Sequence, residues 1–197
     1  MRQRCIVMAA MLLIVSGCSK LSPTPSFYLL DHIKPGHAAG HLPENFSIGI
    51  GPVRLPDHLD RAEIVTRKGD NQVIIREFHR WAAPLNRQLM VSLVVNLTTL
   101  LGTPKVISYP WDRARRPVLR VDVTILRMDR IKGQTILDAV WDIRDMAQDQ
   151  ILVTRHFEYA VDLPLDDVTE YVSAQSEAVN ALSRQIARGI TELSDRS

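Results

Sequence analysis

The run Val15-Ser16-Gly17-Cys18 ends in a thiol, and its setting specifies a reaction. Ahead of it stand Arg2, Arg4 and an unbroken apolar run from Ile6 to Val15. A cationic start, an apolar stretch and two small residues before Cys, in that order, form a bacterial lipobox. The Cys18 sulfur would receive a diacylglycerol, and cleavage just upstream would free its amine for an acyl chain such as palmitate. The apolar run is shorter than the ~20 residues of a permanent membrane span. Residues 1–17 are predicted to be a lipoprotein signal peptide, and residues 18–26 the lipidated Cys18 and its tether. The prolines and small polar residues of Ser19 to Ser26 suit a semi-extended spacer.

Other groupings are weaker. His32, His37 and His41 sit among loop formers, with no carboxylate or thiol at ligand spacing, and read as a solvated linker. Asp57 and Asp60 flank His58 in the pattern of an acid/base group, but also of a polar turn, which is the commoner case. No G-x-S-x-G elbow, Walker loop, G-x-G-x-x-G or H-E-x-x-H occurs. No enzyme, metal or cofactor is predicted. Cys5 leaves with the leader, so the mature chain has no second cysteine for an internal disulfide. Arg2 and Arg4 leave too, and the 24 Lys+Arg against 22 Asp+Glu become 22 against 22. No global basic field is left to attract nucleic acid.

The remainder, residues 27–197, is predicted to be one domain. Phe27 to Leu30 reads as a short strand, and Asp31 to Asn45 as loop. From Phe46, apolar residues alternate with Ser47, Gly49 and Gly51, and Pro52 should end that strand or place it at an edge. Ile64–Arg67 and Val73–Glu77 form a hairpin about Gly69-Asp70-Asn71. Three longer alternating strands follow, around Leu119–Ile125, Leu137–Ile143 and Phe157–Val161. Two segments carry a helical period. In the first, Trp81, Leu85, Leu89, Leu93, Leu97 and Leu100 form one face, with Gln88, Ser92, Asn96 and Thr99 opposite. In the second, Val168, Val172, Val179, Leu182, Ile186 and Leu193 share a side after an Asp167/Glu170 capping box. The fold class is α+β: a two-layer sandwich with a mainly antiparallel sheet and two long amphipathic helices on one face.

After Tyr109-Pro110-Trp111 come Arg113, Arg115 and Arg116, a basic cluster that a phospholipid headgroup or an acidic partner could meet, or else a solvated loop. Trp111 beside a proline either tucks into the core or waits at an interface.

Several stretches together resemble one family. They are Gly49 to Pro56 (GIGPVRLP), Leu59-Asp60-Arg61, Ile64 to Arg67, Arg80 to Leu85 (RWAAPL), Tyr109-Pro110-Trp111 and Trp141. Their order, with the lipobox, is similar to the auxiliary lipoprotein component of ABC-type transport systems, the PqiC/YmbA-like group. His58 stands before Leu59 where an aromatic such as Tyr is expected. The resemblance implies a non-enzymatic lipoprotein that partners an MCE-domain protein in moving lipid between the two membranes of Gram-negative bacteria. It implies a ring-like homo-oligomer docking the tip of that partner. Arg54, Asp57, Asp60, Arg61, Trp111, Arg113, Arg115 and Arg116 are the candidate partner interface. Ser19, rather than Asp, after Cys18 predicts the outer membrane, with the domain facing the periplasm. The alternative is a periplasmic lipid or small-ligand binder, which needs a sizeable apolar cavity.

Overall fold

The computed structural model describes residues 23–34, 36, 42 and 46–195. The described strands begin with β1 (Ser26–Tyr28), β2 (Ile48–Arg54), β3 (Glu63–Arg67) and β4 (Val73–Trp81), and helix α1 (Leu85–Leu101) follows. Then come β5 (Val106–Ser108), β6 (Leu119–Ile131), β7 (Gln134–Asp145), β8 (Gln150–Asp162) and helix α2 (Val168–Ser194). Cys18, His37 and His41 lie outside the described residues.

The three long strands form the predicted meander, with β6, β7 and β8 antiparallel in sequence order. Alternation buries Val121, Val123, Ala139, Trp141 and Ile143 on the helix-facing side. Lys132 and Gly133 both have positive φ, 50° and 76°, as a two-residue hairpin turn between right-twisted strands requires.

The sheets, however, are mixed. The large sheet has the order β5-β2-β6-β7-β8, and β2 runs parallel to both of its neighbours. A second sheet, β1-β4-β3, joins the predicted hairpin to β1, which pairs parallel to β4. The single mainly antiparallel sheet is thereby corrected to two. β1 and β5 are three residues each, too short to show alternation, and their pairings close over long stretches of chain. β2 also passes through Pro52 and lies inside the sheet. The register shifts between Ile50 and Val53, so the proline sits at a bulge and withholds no ladder hydrogen bond.

α2 starts as expected: the Asp167 carboxylate accepts the Thr169 and Glu170 N–H groups at 2.6 and 3.1 Å. α1 starts after Pro84 and ends at Gly102, whose φ of 62° gives a left-handed cap. Trp81, expected on this helix, instead closes β4 and is buried there. The largest surprise is which side of α1 meets solvent. Gln88, Ser92 and Asn96 are buried with the leucines, while Val91 and Val95 are exposed. The polar stripe faces α2 and the chain after β1, not water.

Gly189 of α2 lies against the large sheet. Alanine there gains about 1 kcal/mol of helix propensity. Yet a Cβ at Gly189 would stand 2.8 Å from Trp141 Cη2 and 3.5 Å from Ile143 Cδ1. The Trp141 ring is fully buried and its Nε1 donates to Gln185 Oε1 at 2.9 Å, so it has nowhere to withdraw. Overpacking of this kind costs about 1–3 kcal/mol. We expect Gly189→Ala to lower the thermal midpoint by roughly 2–4 °C, as about 1 kcal/mol net does in a domain of this size. A raised midpoint on thermal melting would show that the helix slides away freely.

Candidate functional site

The candidate interface residues fall into two groups. Arg54, Asp57, Asp60 and Arg61 follow β2. Asp57 to Leu59 form a short 3-10 turn in which Leu59 is buried, and the Asp60 N–H bonds the Asp57 carbonyl at 3.2 Å. The turn is closed by backbone groups, with no side-chain cap hydrogen bond. Arg61 Nε donates to Glu63 Oε2 at 3.1 Å, and Arg80 reaches the other oxygen of Glu63 at 3.4 Å. The backbone N–H of Glu63 and then Arg61 hold the Glu63 carboxyl below the usual range. Asp60 and Arg61 border an open groove of about 360 Å³ with Trp81 and Pro84.

The second group lies between β5 and β6. Trp111 neither inserts into the core nor stands free: it lies half-buried against the outer face of β2. A Cβ at Gly49 would meet Pro117 Cγ at 2.6 Å and Trp111 Cζ3 at 2.8 Å, so the bare glycine is what lets both rings approach. Tyr109 packs edge-on to Trp111 with ring centres 5.3 Å apart. Trp111 and Arg115 line a groove of about 360 Å³ with Val94, Ser108 and Asp112. Asp112 caps the short turn at Arg113–Arg115 by accepting the Arg115 N–H at 2.9 Å. Arg116 is differently occupied, since its guanidinium donates to the Met146 carbonyl and ties this loop to the β7–β8 turn. The Arg113 side chain lies outside the described residues. Among the described residues no hydrogen bond or ion pair joins the two groups.

Gly49→Ala tests this packing. We expect it to push Trp111 outward, seen as a red shift in tryptophan emission with stronger iodide quenching. The cost should be about 1–3 kcal/mol.

A third feature escaped the sequence reading. The chain after β1 lies along the α1–α2 pair, and buried side chains capture its backbone. Leu30 N–H donates to Gln88 Oε1 at 3.0 Å, Asp31 N–H to Ser176 Oγ at 3.0 Å, and Ile33 N–H to Asn96 Oδ1 at 2.8 Å. Asn96 Nδ2 in turn donates to Asn180 Oδ1 at 2.9 Å and Ser183 Oγ at 3.0 Å. The available signal was a second polar stripe: Ser176, Asn180 and Ser183 repeat on α2 as Gln88, Ser92 and Asn96 do on α1. Two such stripes can face each other when each finds partners.

Among the described residues no group of three or more His, Cys, Asp or Glu is placed to hold a metal ion. No described helix is long and apolar enough to cross a membrane. One groove of about 440 Å³, open to solvent, runs between the C-terminal ends of α1 and α2, with Leu100, Leu101 and Ala187 beside Arg184 and Arg188.

The geometry is that of a scaffold with surface grooves, and its likenesses agree. Residues 28–187 match the family model described as ABC-type transport auxiliary lipoprotein component. The chain belongs to that family. Among its relatives is the intermembrane transport lipoprotein PqiC of Escherichia coli K12, 28% identical over 193 residues, which span 98% of this chain and 100% of PqiC. A crystal structure of an uncharacterized protein superposes with a TM-score of 0.70 at 26% identity, covering 85% of this chain and 99% of the other. The protein XCC0632 from Xanthomonas campestris shares the fold, with a TM-score of 0.73 at 13% identity over 87% of this chain and 97% of its own. The chain is thus an auxiliary lipoprotein of a transport system, and family membership adds what no cluster of side chains here displays.

Proposed function

We propose that this protein is acylated at Cys18, held at the inner surface of the outer membrane, and docks an MCE-domain protein in an ABC-type intermembrane lipid transport system. The likeness to PqiC over 98% of this chain, together with the lipobox at Cys18, carries this reading. Its role is mechanical, in keeping with a family described as an auxiliary component. Two exposed loop groups, around Arg61 and around Trp111, offer mixed charge and aromatic surface to the partner. Self-association has its own surface, because β8 is a 13-residue edge strand with its outer ladder unpaired.

Pull-down from detergent-solubilised membranes with the full lipidated chain should recover an MCE protein; its absence in several detergents would overturn the docking role. Destination is tested separately. Ser19→Asp should move the protein from the outer- to the inner-membrane fraction in an enterobacterial host, and an unchanged fractionation would remove the sorting argument.

A further inference from the structure

We infer that the face formed by Phe27 and Leu29 with Val91 and Val95 of α1 rests on the lipid surface beside the anchor. The inference depends on acylation at Cys18 as proposed above. Along residues 27–30 the alternation is inverted for a protein surface: Phe27 and Leu29 are 64% and 65% exposed, while Tyr28 and Leu30 turn inward. Leu29 and Val91 border the same groove, with Arg87 at its rim. Val91 and Val95, one helical turn apart, continue the strip at 44% and 36% exposure. α1 has buried its polar residues and left valines outside, which is the informative kind of exposure.

Chain length selects the occupant. Cys18 and Phe27 are nine residues apart, so even a fully extended chain reaches only about 30 Å. A folded domain of this size has a radius of gyration of about 15 Å and is roughly 40 Å across. The tether is shorter than the body, so the side carrying β1 cannot point away from the membrane. The patch cannot swing away from that side, because Gln88, Ser176 and Asn96 fix the backbone just after Leu29. Its charge suits an anionic lipid surface. Arg87 is the one charged residue of α1, and Lys34 follows the clamped Ile33. Among the described residues neither has a carboxylate partner. Asp31 is the carboxylate of this segment, and its Oδ1 accepts the His32 N–H at 2.8 Å. Apolar side chains with unpaired cations beside them form an interfacial contact.

The full chain with its own leader is the test material. Cys5 leaves with the leader and Cys18 is acylated, so Phe27→Cys, Val91→Cys or Leu126→Cys each supplies one free thiol for an NBD fluorophore. Leu126 lies on β6, inside the large sheet and away from its β8 edge, and is similarly exposed. In vesicles of phosphatidylethanolamine and phosphatidylglycerol carrying a nitroxide-labelled phospholipid, quenching at positions 27 and 91 should exceed that at 126 at least threefold. Equal quenching at all three overturns the contact face. So does a blue shift at 27 and 91 without lipid quenching, which marks burial against a second copy or another protein. Mass spectrometry of the Cys18 peptide from the same sample separates the two readings. An acylated peptide with equal quenching sinks the contact face alone, whereas an unmodified peptide sinks the anchor and the contact face with it.

Discussion

Cys18→Ser, placed behind a conventional cleavable leader in exchange for residues 1–17, should release a folded domain into the soluble periplasmic fraction. With Cys18 acylated as proposed, the effect is all-or-none, because the anchor would be the chain's firm hold on the membrane. One acyl chain gives only marginal, reversible binding, whereas two or more give stable attachment. In the proposed modification the thiol would carry two of three chains, and the third would sit on the amine that cleavage exposes. An exposed apolar strip with two cations cannot replace that. The fold itself should be untouched, since the domain's core is built from residues well downstream of Cys18. Fractionation together with far-ultraviolet circular dichroism reads both halves. A variant that stays with the membrane through a carbonate wash would refute the anchoring role of Cys18.

The second large effect is on stability. Asn96→Leu should cost roughly 3 kcal/mol or more, because it breaks a buried network rather than a single bond. Asn96 has 0% exposure. Its loss leaves the Ile33 N–H, Asn180 Oδ1 and Ser183 Oγ without their present partner. In a domain of this size that corresponds to a fall in thermal midpoint of about 6–12 °C. The same substitution should speed hydrogen exchange at Ile33 more than at amides in the β6–β7 ladder. A uniform change across both would mean that Asn96 supports the core generally and does not clamp the N-terminal segment. Replacing Asn96, Asn180 and Ser183 together by apolar residues should recover part of the stability. It should not restore protection at Ile33.

These predictions rest on features the sequence displayed unequally. The meander was legible because Val121, Val123, Trp141 and Ile143 alternate with polar residues on strands joined by short turns. Both helices were legible through their leucine and valine spacing, and the α2 cap through Asp167. The order of the strands was not. A central β2 depends on β5, three residues long, and on parallel pairings that α1 and its loops bring about; no local pattern encodes them. The orientation of α1 was not legible for a related reason. Periodicity shows that Gln88, Ser92 and Asn96 share a face, but only tertiary contact decides whether that face meets water or another polar stripe. The candidate interface had a similar fate. Trp111 and Arg115 do border one groove, whereas Arg116 is spent on Met146 and the residues near Arg61 form a separate patch. Sequence proximity had grouped side chains by chemistry, and backbone geometry divided them.

The way β1 is held also determines how the protein bears tension. A pull on the proposed lipid anchor would enter through Ser26, at the start of a strand paired parallel to β4 at His79, Arg80 and Trp81. Tyr28 adds a side-chain bond to His79 Nδ1 at 2.7 Å, and the clamped backbone lies just beyond. Force along the strand therefore loads these bonds in shear, sharing the strain among them, and does not peel them apart in turn. In the proposed role, a moored fitting whose partner reaches towards the other membrane would have its rope tied at a strong point of the hull.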